Sequence, residues 1–125
     1  MKAKILIIIS IICCQLFISC REKNTSCEYL AKGDICVILK NRSGKNIKSL
    51  ELKHERGKNE IINLANNENA NISFNSPGES SYIITASFED GKVVKSTGTY
   101  IEGGYKMTEI IHNDEIESKI STFFN

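Results

Sequence analysis

From residue 35 onward, apolar residues recur at every second position in short runs, and each run is closed by turn-forming residues, the pattern of β-strands. The first run, Ile35-Cys36-Val37-Ile38-Leu39, is apolar on both sides and predicts a central strand covered on two faces, ended by Asn41-Arg42-Ser43-Gly44. The second, Ile47 to His54, sets Leu50 and Leu52 on one face against Ser49, Glu51 and Lys53 on the other. After Glu55-Arg56-Gly57-Lys58, a third run puts Ile62 and Leu64 together, and a fourth turns Ala70, Ile72 and Phe74 inward. Asn75-Ser76-Pro77-Gly78 then reverses the chain, because Pro77 presets φ and Gly78 accepts a positive one.

The strongest local signal is a hairpin from Ser81 to Tyr100. Tyr82, Ile84, Ala86 and Phe88 share a face, Glu89-Asp90-Gly91-Lys92 turns, and Val94, Gly98 and Tyr100 continue on the return strand. Glu102-Gly103-Gly104 leads into Tyr105 to His112, where Tyr105, Met107 and Ile111 alternate with Lys106, Thr108 and Ile110. Ile116 and Ile120 suit either a short final strand or one helical turn. About seven short, turn-bounded strands predict an all-β, antiparallel β-sandwich of immunoglobulin-like or transthyretin-like architecture, with a small barrel as the alternative. With no Trp and no Cys-Trp-Cys spacing, the antibody-type signature is missing.

Residues 1–20 follow a different rule. Lys2 and Lys4 precede the uninterrupted apolar stretch Ile5 to Ile12, and Phe17-Ile18-Ser19 places a small residue immediately before Cys20. This arrangement resembles a bacterial lipoprotein signal peptide with its lipobox, with Phe17 where that family usually carries Leu. A plain secretory signal cut after Ser19 and an uncleaved anchor are the rivals. The apolar stretch, interrupted by Gln15, falls short of the roughly 20 residues that span a bilayer. The resemblance implies cleavage before Cys20, lipidation of that cysteine with diacylglycerol and an amide-linked acyl chain, and a stable anchor, since two or three chains hold where one is marginal at about 0.8 kcal/mol per buried CH₂. It divides the chain into a signal peptide, 1–19, a lipidated tether, 20–32, and a β-sandwich domain, 33–125. By the same resemblance, Arg21 rather than Asp after the lipidated cysteine favours the outer membrane, facing the periplasm.

Of the five cysteines, Cys13 and Cys14 leave with the signal and Cys20 takes the lipid, so Cys27 and Cys36 remain to form a disulfide in an oxidising envelope. Such a short loop contributes roughly 2–3 kcal/mol on the chain-entropy model. A net charge of +1, with Lys and Glu interspersed, leaves no basic stripe for nucleic acid. No nucleophile with a partner base, phosphate loop, dinucleotide fingerprint or zinc-binding histidine pair is present, so no enzymatic activity, catalytic residue, cofactor or metal is expected. His54 and His112 stand at strand ends in polar settings and read as solvated side chains; Asp114, Glu115 and Glu117 lack the glycine-containing calcium loop and read as a turn.

One segment invites contact. Tyr100 and Tyr105 frame the flexible pair Gly103 and Gly104, an aromatic loop of the kind that makes interfaces, although the same residues would also cap a core and shape a turn. The expected function is a membrane-anchored, non-enzymatic module that binds an envelope or secreted protein, in an immunity or accessory role. A structural surface lipoprotein without a dedicated ligand is the alternative, and an envelope enzyme the more remote one.

Overall fold

The computed structural model describes Cys27, residues 33–76 and residues 78–123, the last three by their backbone. The signal segment and Cys20 lie outside the described residues, as does the tether apart from Cys27. The chain runs through nine strands: β1 (Asp34–Asn41), β2 (Ile47–His54), β3 (Gly57–Leu64), β4 (Asn69–Asn75), β5 (Glu79–Phe88), β6 (Val93–Lys95), β7 (Thr99–Glu102), β8 (Tyr105–Ile111) and β9 (Ile116–Phe123). No helix occurs among the described residues.

The strands form two facing sheets. One has the order β4-β1-β8-β9; the other has the order β3-β2-β5-β6, with β7 also paired to β5. β6 and β7 are two halves of one edge strand, pairing successive stretches of β5 at Thr85–Ser87 and Glu79–Tyr82. Every pairing is antiparallel except β1 with β8, which run parallel. The immunoglobulin arrangement groups strands ABED against CFG. Lettered alike, with β6 and β7 as one strand, this chain gives DAGH against CBEF, the transthyretin-like member of the expected pair. β1 is central because both its faces are covered: Ile35, Val37 and Leu39 point to the core, and the outward Cys36 is also buried.

The core is the inner faces of the two sheets. Leu50, Leu52, Tyr82, Ile84, Ala86 and Phe88 from one sheet meet Ile35, Val37, Leu39, Ala70, Ile72, Phe74, Met107 and Ile111 from the other. Phe74 packs edge-on to Tyr82, ring centroids 6.2 Å apart, a geometry that suits the aromatic quadrupole. The first crossing between sheets is held by Asn41, which is fully buried. Its Nδ2 donates to the carbonyls of Lys45 (2.8 Å) and Leu64 (3.0 Å), and its Oδ1 accepts from the Ser43 amide (3.1 Å) and hydroxyl (2.7 Å). All four hydrogen-bonding positions of the side-chain amide are thus used.

Two expectations are corrected by local irregularities. Ile62 does not share a face with Leu64: Asn63 adopts φ 56° and the register of β2 slips at Lys48, so Leu64 is buried while Ile62 is exposed. The return strand of the hairpin does not run unbroken to Tyr100, because Ser96, Thr97 and Gly98 stand opposite only Ile83 and Ile84. That extra residue, with Gly98 at φ 98°, reverses the alternation, so Val94 and Ile101 point inward and Tyr100 points out. Of the two alternatives open for Ile116 and Ile120, the strand is the one that forms: both belong to the eight-residue β9.

Candidate functional site

Along the side of the sandwich where edge strands β7 and β9 face each other, the seam has a polar stretch followed by an apolar opening. Glu109 lies in the polar stretch, on an inward step of β8 between Met107 and Ile111, and is fully buried. The Tyr82 hydroxyl donates to Glu109 Oε1 from the opposite sheet. The Ser118 hydroxyl on β9 donates to Oε2 at 2.7 Å, and the Thr99 hydroxyl on β7 approaches Oε1 at 3.4 Å and Ser118 Oγ at 3.3 Å. Four strands are therefore clasped through one carboxylate. Burial raises the pKa of Glu109 against the lowering effect of its three hydroxyl donors, and it raises that of Tyr82 together with the adjacent carboxylate charge.

One step along each strand, the clasp gives way to a pocket. Met107 pairs with Ile120 as Glu109 pairs with Ser118, and Ile101 follows Thr99 by two residues on β7. Tyr100, Ile101, Glu102, Tyr105, Met107 and Ile120 line an opening of about 130 Å³. Ile120 occupies an inward-facing step of β9, opposite Met107, yet is 64% exposed. Tyr100 is 61% exposed, while Tyr105 packs partly against the core.

The proposed interaction loop is thus gathered at this opening, with its residues dividing the work. Tyr100 and Tyr105 line it. Gly103 is a packing position: a Cβ there would come within 2.7 Å of the Ser76 carbonyl oxygen and 2.8 Å of Gly33 Cα. Gly104 turns at φ 94° and its amide donates to the Asp34 carbonyl at 2.8 Å, fastening the β7–β8 turn to the start of β1. Glu79 and Glu102 stand directly opposite each other across β5 and β7, on the same outward face as the adjacent Ser81–Tyr100 pair. Hydrogen bonding from the Tyr100 phenol to Glu79, with the charge of Glu102 nearby, pushes its pKa up to about 12.

Cys27 is joined to Cys36 on β1 as a disulfide, with Cα atoms 6.0 Å apart. The histidines serve their surroundings: His54 stacks on Phe74 with centroids 4.3 Å apart, and His112 Nε2 lies 3.1 Å from Glu117. Asp114 is held by Lys92, and Glu117 by Lys119 as well, so two carboxylates of the acidic turn have cationic neighbours. Sequence reasoning missed Glu109, Ile120, Met107 and Glu79 as site residues. Glu109 had a signal, since an inward step in an otherwise apolar alternation is an unusual place for a carboxylate; Ile120 had none, because its exposure depends on how segments far apart in the chain come together.

No protein-family model matches the chain, and no curated protein matches it. Among solved structures, the fold is similar to the NMR structure of a protein from Eubacterium rectale, at a TM-score of 0.56 and 16% identity, covering 73% of this chain and 91% of that one. At that identity the likeness concerns the fold alone.

Proposed function

We propose that the protein is a lipid-anchored envelope protein whose sandwich binds another protein through the open seam between β7 and β9. The observation that carries this reading is the placement of two exposed apolar side chains, Tyr100 and Ile120, at the mouth of a pocket floored by Ile101 and Met107. Exposed apolar groups gathered beside a short edge strand are suited to an extended partner segment, which finds backbone partners along the edge and a socket for one side chain. The anchor rests on Cys20 and the signal that precedes it, and the disulfide between Cys27 and Cys36 suits the same oxidising location. The tether would then hold the domain within reach of partners at the membrane surface.

Two measurements test the reading. The intact mass of full-length protein extracted from Gram-negative membranes should correspond to a chain starting at Cys20 with added acyl groups, and should rise by two hydrogens on reduction. A soluble, unacylated product cut after Ser19 would overturn the anchor. A photo-crosslinking residue replacing Tyr100 should give discrete adducts in intact envelopes, whereas one replacing Lys58 on the far edge strand should not; equal labelling from both positions would overturn the seam as the binding surface.

A further inference from the structure

Resting on the reading that the seam binds protein, we infer that its occupant is an extended partner segment that places an arginine or lysine side chain across the pocket, its stem on the apolar floor and its cationic head between Glu79 and Glu102. The two glutamates are register partners on one face, and like charges directly opposite each other in a ladder disfavour the pairing that holds them there. Among the described residues, the lysine ion pairs engage Asp90, Glu51, Asp114 and Glu117; none engages Glu79 or Glu102. A cation arriving from outside would relieve this repulsion.

The pocket's chemistry is graded to match an amphipathic side chain. Ile101, Met107 and Ile120 are apolar, Glu102 stands on the rim, and the rings of Tyr100 and Tyr105 line the opening between them. Arginine and lysine carry an apolar stem and a charged head, so they bury the one while presenting the other to carboxylates and aromatic faces. A purely aliphatic side chain would fill the floor and leave the carboxylates without a cation; an acidic one would add a third negative charge. Arginine fits better than lysine because its planar fork can engage both carboxylates. The Tyr100 phenol, on the same outward face, hydrogen-bonds to Glu79 and Glu102 and so joins the two carboxylates to the ring that lines the opening.

The test uses the full chain purified from membranes and a fluorescein-labelled probe peptide, acetyl-Thr-Val-Arg-Val-Thr-amide, with counterparts carrying norleucine or glutamate in place of arginine. By fluorescence polarisation the arginine probe should bind at least about tenfold more tightly than either counterpart, a difference that shrinks as salt screens the charges. The double variant Glu79→Gln/Glu102→Gln should remove that preference without changing the thermal unfolding midpoint by more than about a degree or two, as expected for exposed substitutions. Equal binding of the arginine and norleucine probes, or an unchanged preference in the double variant, would overturn cation recognition. In that event, loss of all binding in Ile120→Ser would leave the seam standing as an apolar docking site. Failure of every probe together with an unlabelled photo-crosslinker at position 100 would overturn both readings.

Discussion

The two long sides of the sandwich bring together edge strands from opposite sheets, yet they are closed by different means. On one side β3 runs into β4, so the chain itself crosses from sheet to sheet, and buried Asn41 ties the neighbouring β1–β2 turn to the end of β3, with three hydrogen bonds to Ser43 and Lys45 and one to the Leu64 carbonyl. On the other side β7 and β9 have no such direct passage; the clasp of Glu109, Tyr82, Thr99 and Ser118 joins them, and beyond it Ile120 is left uncovered. The side closed by one cluster of side chains leaves Ile120 and Tyr100 exposed beside its edge strands, and it is there that the proposed binding surface is placed.

The largest effect should come from opening the first side. Asn41→Ala strips partners from the carbonyls of Lys45 and Leu64 and from the Ser43 amide, and is expected to lower stability by about 2–4 kcal/mol in urea unfolding, as for removal of a buried, fully bonded polar group. A loss below about 1 kcal/mol would mean that both sides are equally weakly held. Opening the clasp should matter less: Glu109→Ala leaves the buried Tyr82 hydroxyl without its acceptor and should lower stability by about 1–3 kcal/mol, while Glu109→Gln, which retains an acceptor, should lower it by less.

The clasp should also be recognisable by its pH dependence. Burial gives Glu109 a higher pKa in the folded chain than in the unfolded one, so the folded state holds more protons between those two values and its stability falls as pH rises through that window. Asp90, Asp114 and Glu117 are shifted the other way by their hydrogen bonds to Lys45, Lys92 and His112, so their stabilisation is lost as pH falls below the ordinary carboxylate range. Subtracting the stability profile of Glu109→Gln from that of the parent should therefore leave a difference that declines toward higher pH. A flat difference would show that the carboxylate is not held as the structure places it. The smallest effect on stability belongs to Ile120→Ser, within about 0.5 kcal/mol because the side chain is already exposed, although the same change should abolish binding at the seam.

How far the architecture was legible can be judged strand by strand. The alternation of Tyr82, Ile84, Ala86 and Phe88 and the Asp90-Gly91 turn announced the hairpin, and Gly91 does turn at φ 89°, with the Phe88 amide donating to the Lys92 carbonyl. The double-faced run of β1 announced a central strand for the same reason it became one: apolar side chains on both faces are stable only when both are covered. What escaped was every effect of a single inserted residue. At Lys48, with Asn63 opposite it, and again at Ser96 to Gly98, one extra position inverted which side chains faced the core, sending Ile62 and Tyr100 outward. The period-two pattern is local, and it carries no record of what lies opposite in the neighbouring strand.

The aromatic loop shows the same division. That Tyr100 to Tyr105 would form a tight, aromatic turn followed from its residues alone, because Gly104 tolerates positive φ and tyrosines favour boundaries between apolar and wet surroundings. Whether it would cap the core or border a pocket depended on how it meets Met107 and Ile120 and on Gly103 packing against Gly33 and Ser76, contacts between segments distant along the chain. By itself, then, the sequence determined the all-β class, the central first strand, the main hairpin and the expectation of an anchor at Cys20, since these rest on periodicity, turn chemistry and a linear motif. The order of strands, the buried carboxylate clasp and the open seam were decided only by tertiary structure, because each arises where two sheets, far apart in sequence, compete to cover the same apolar surface.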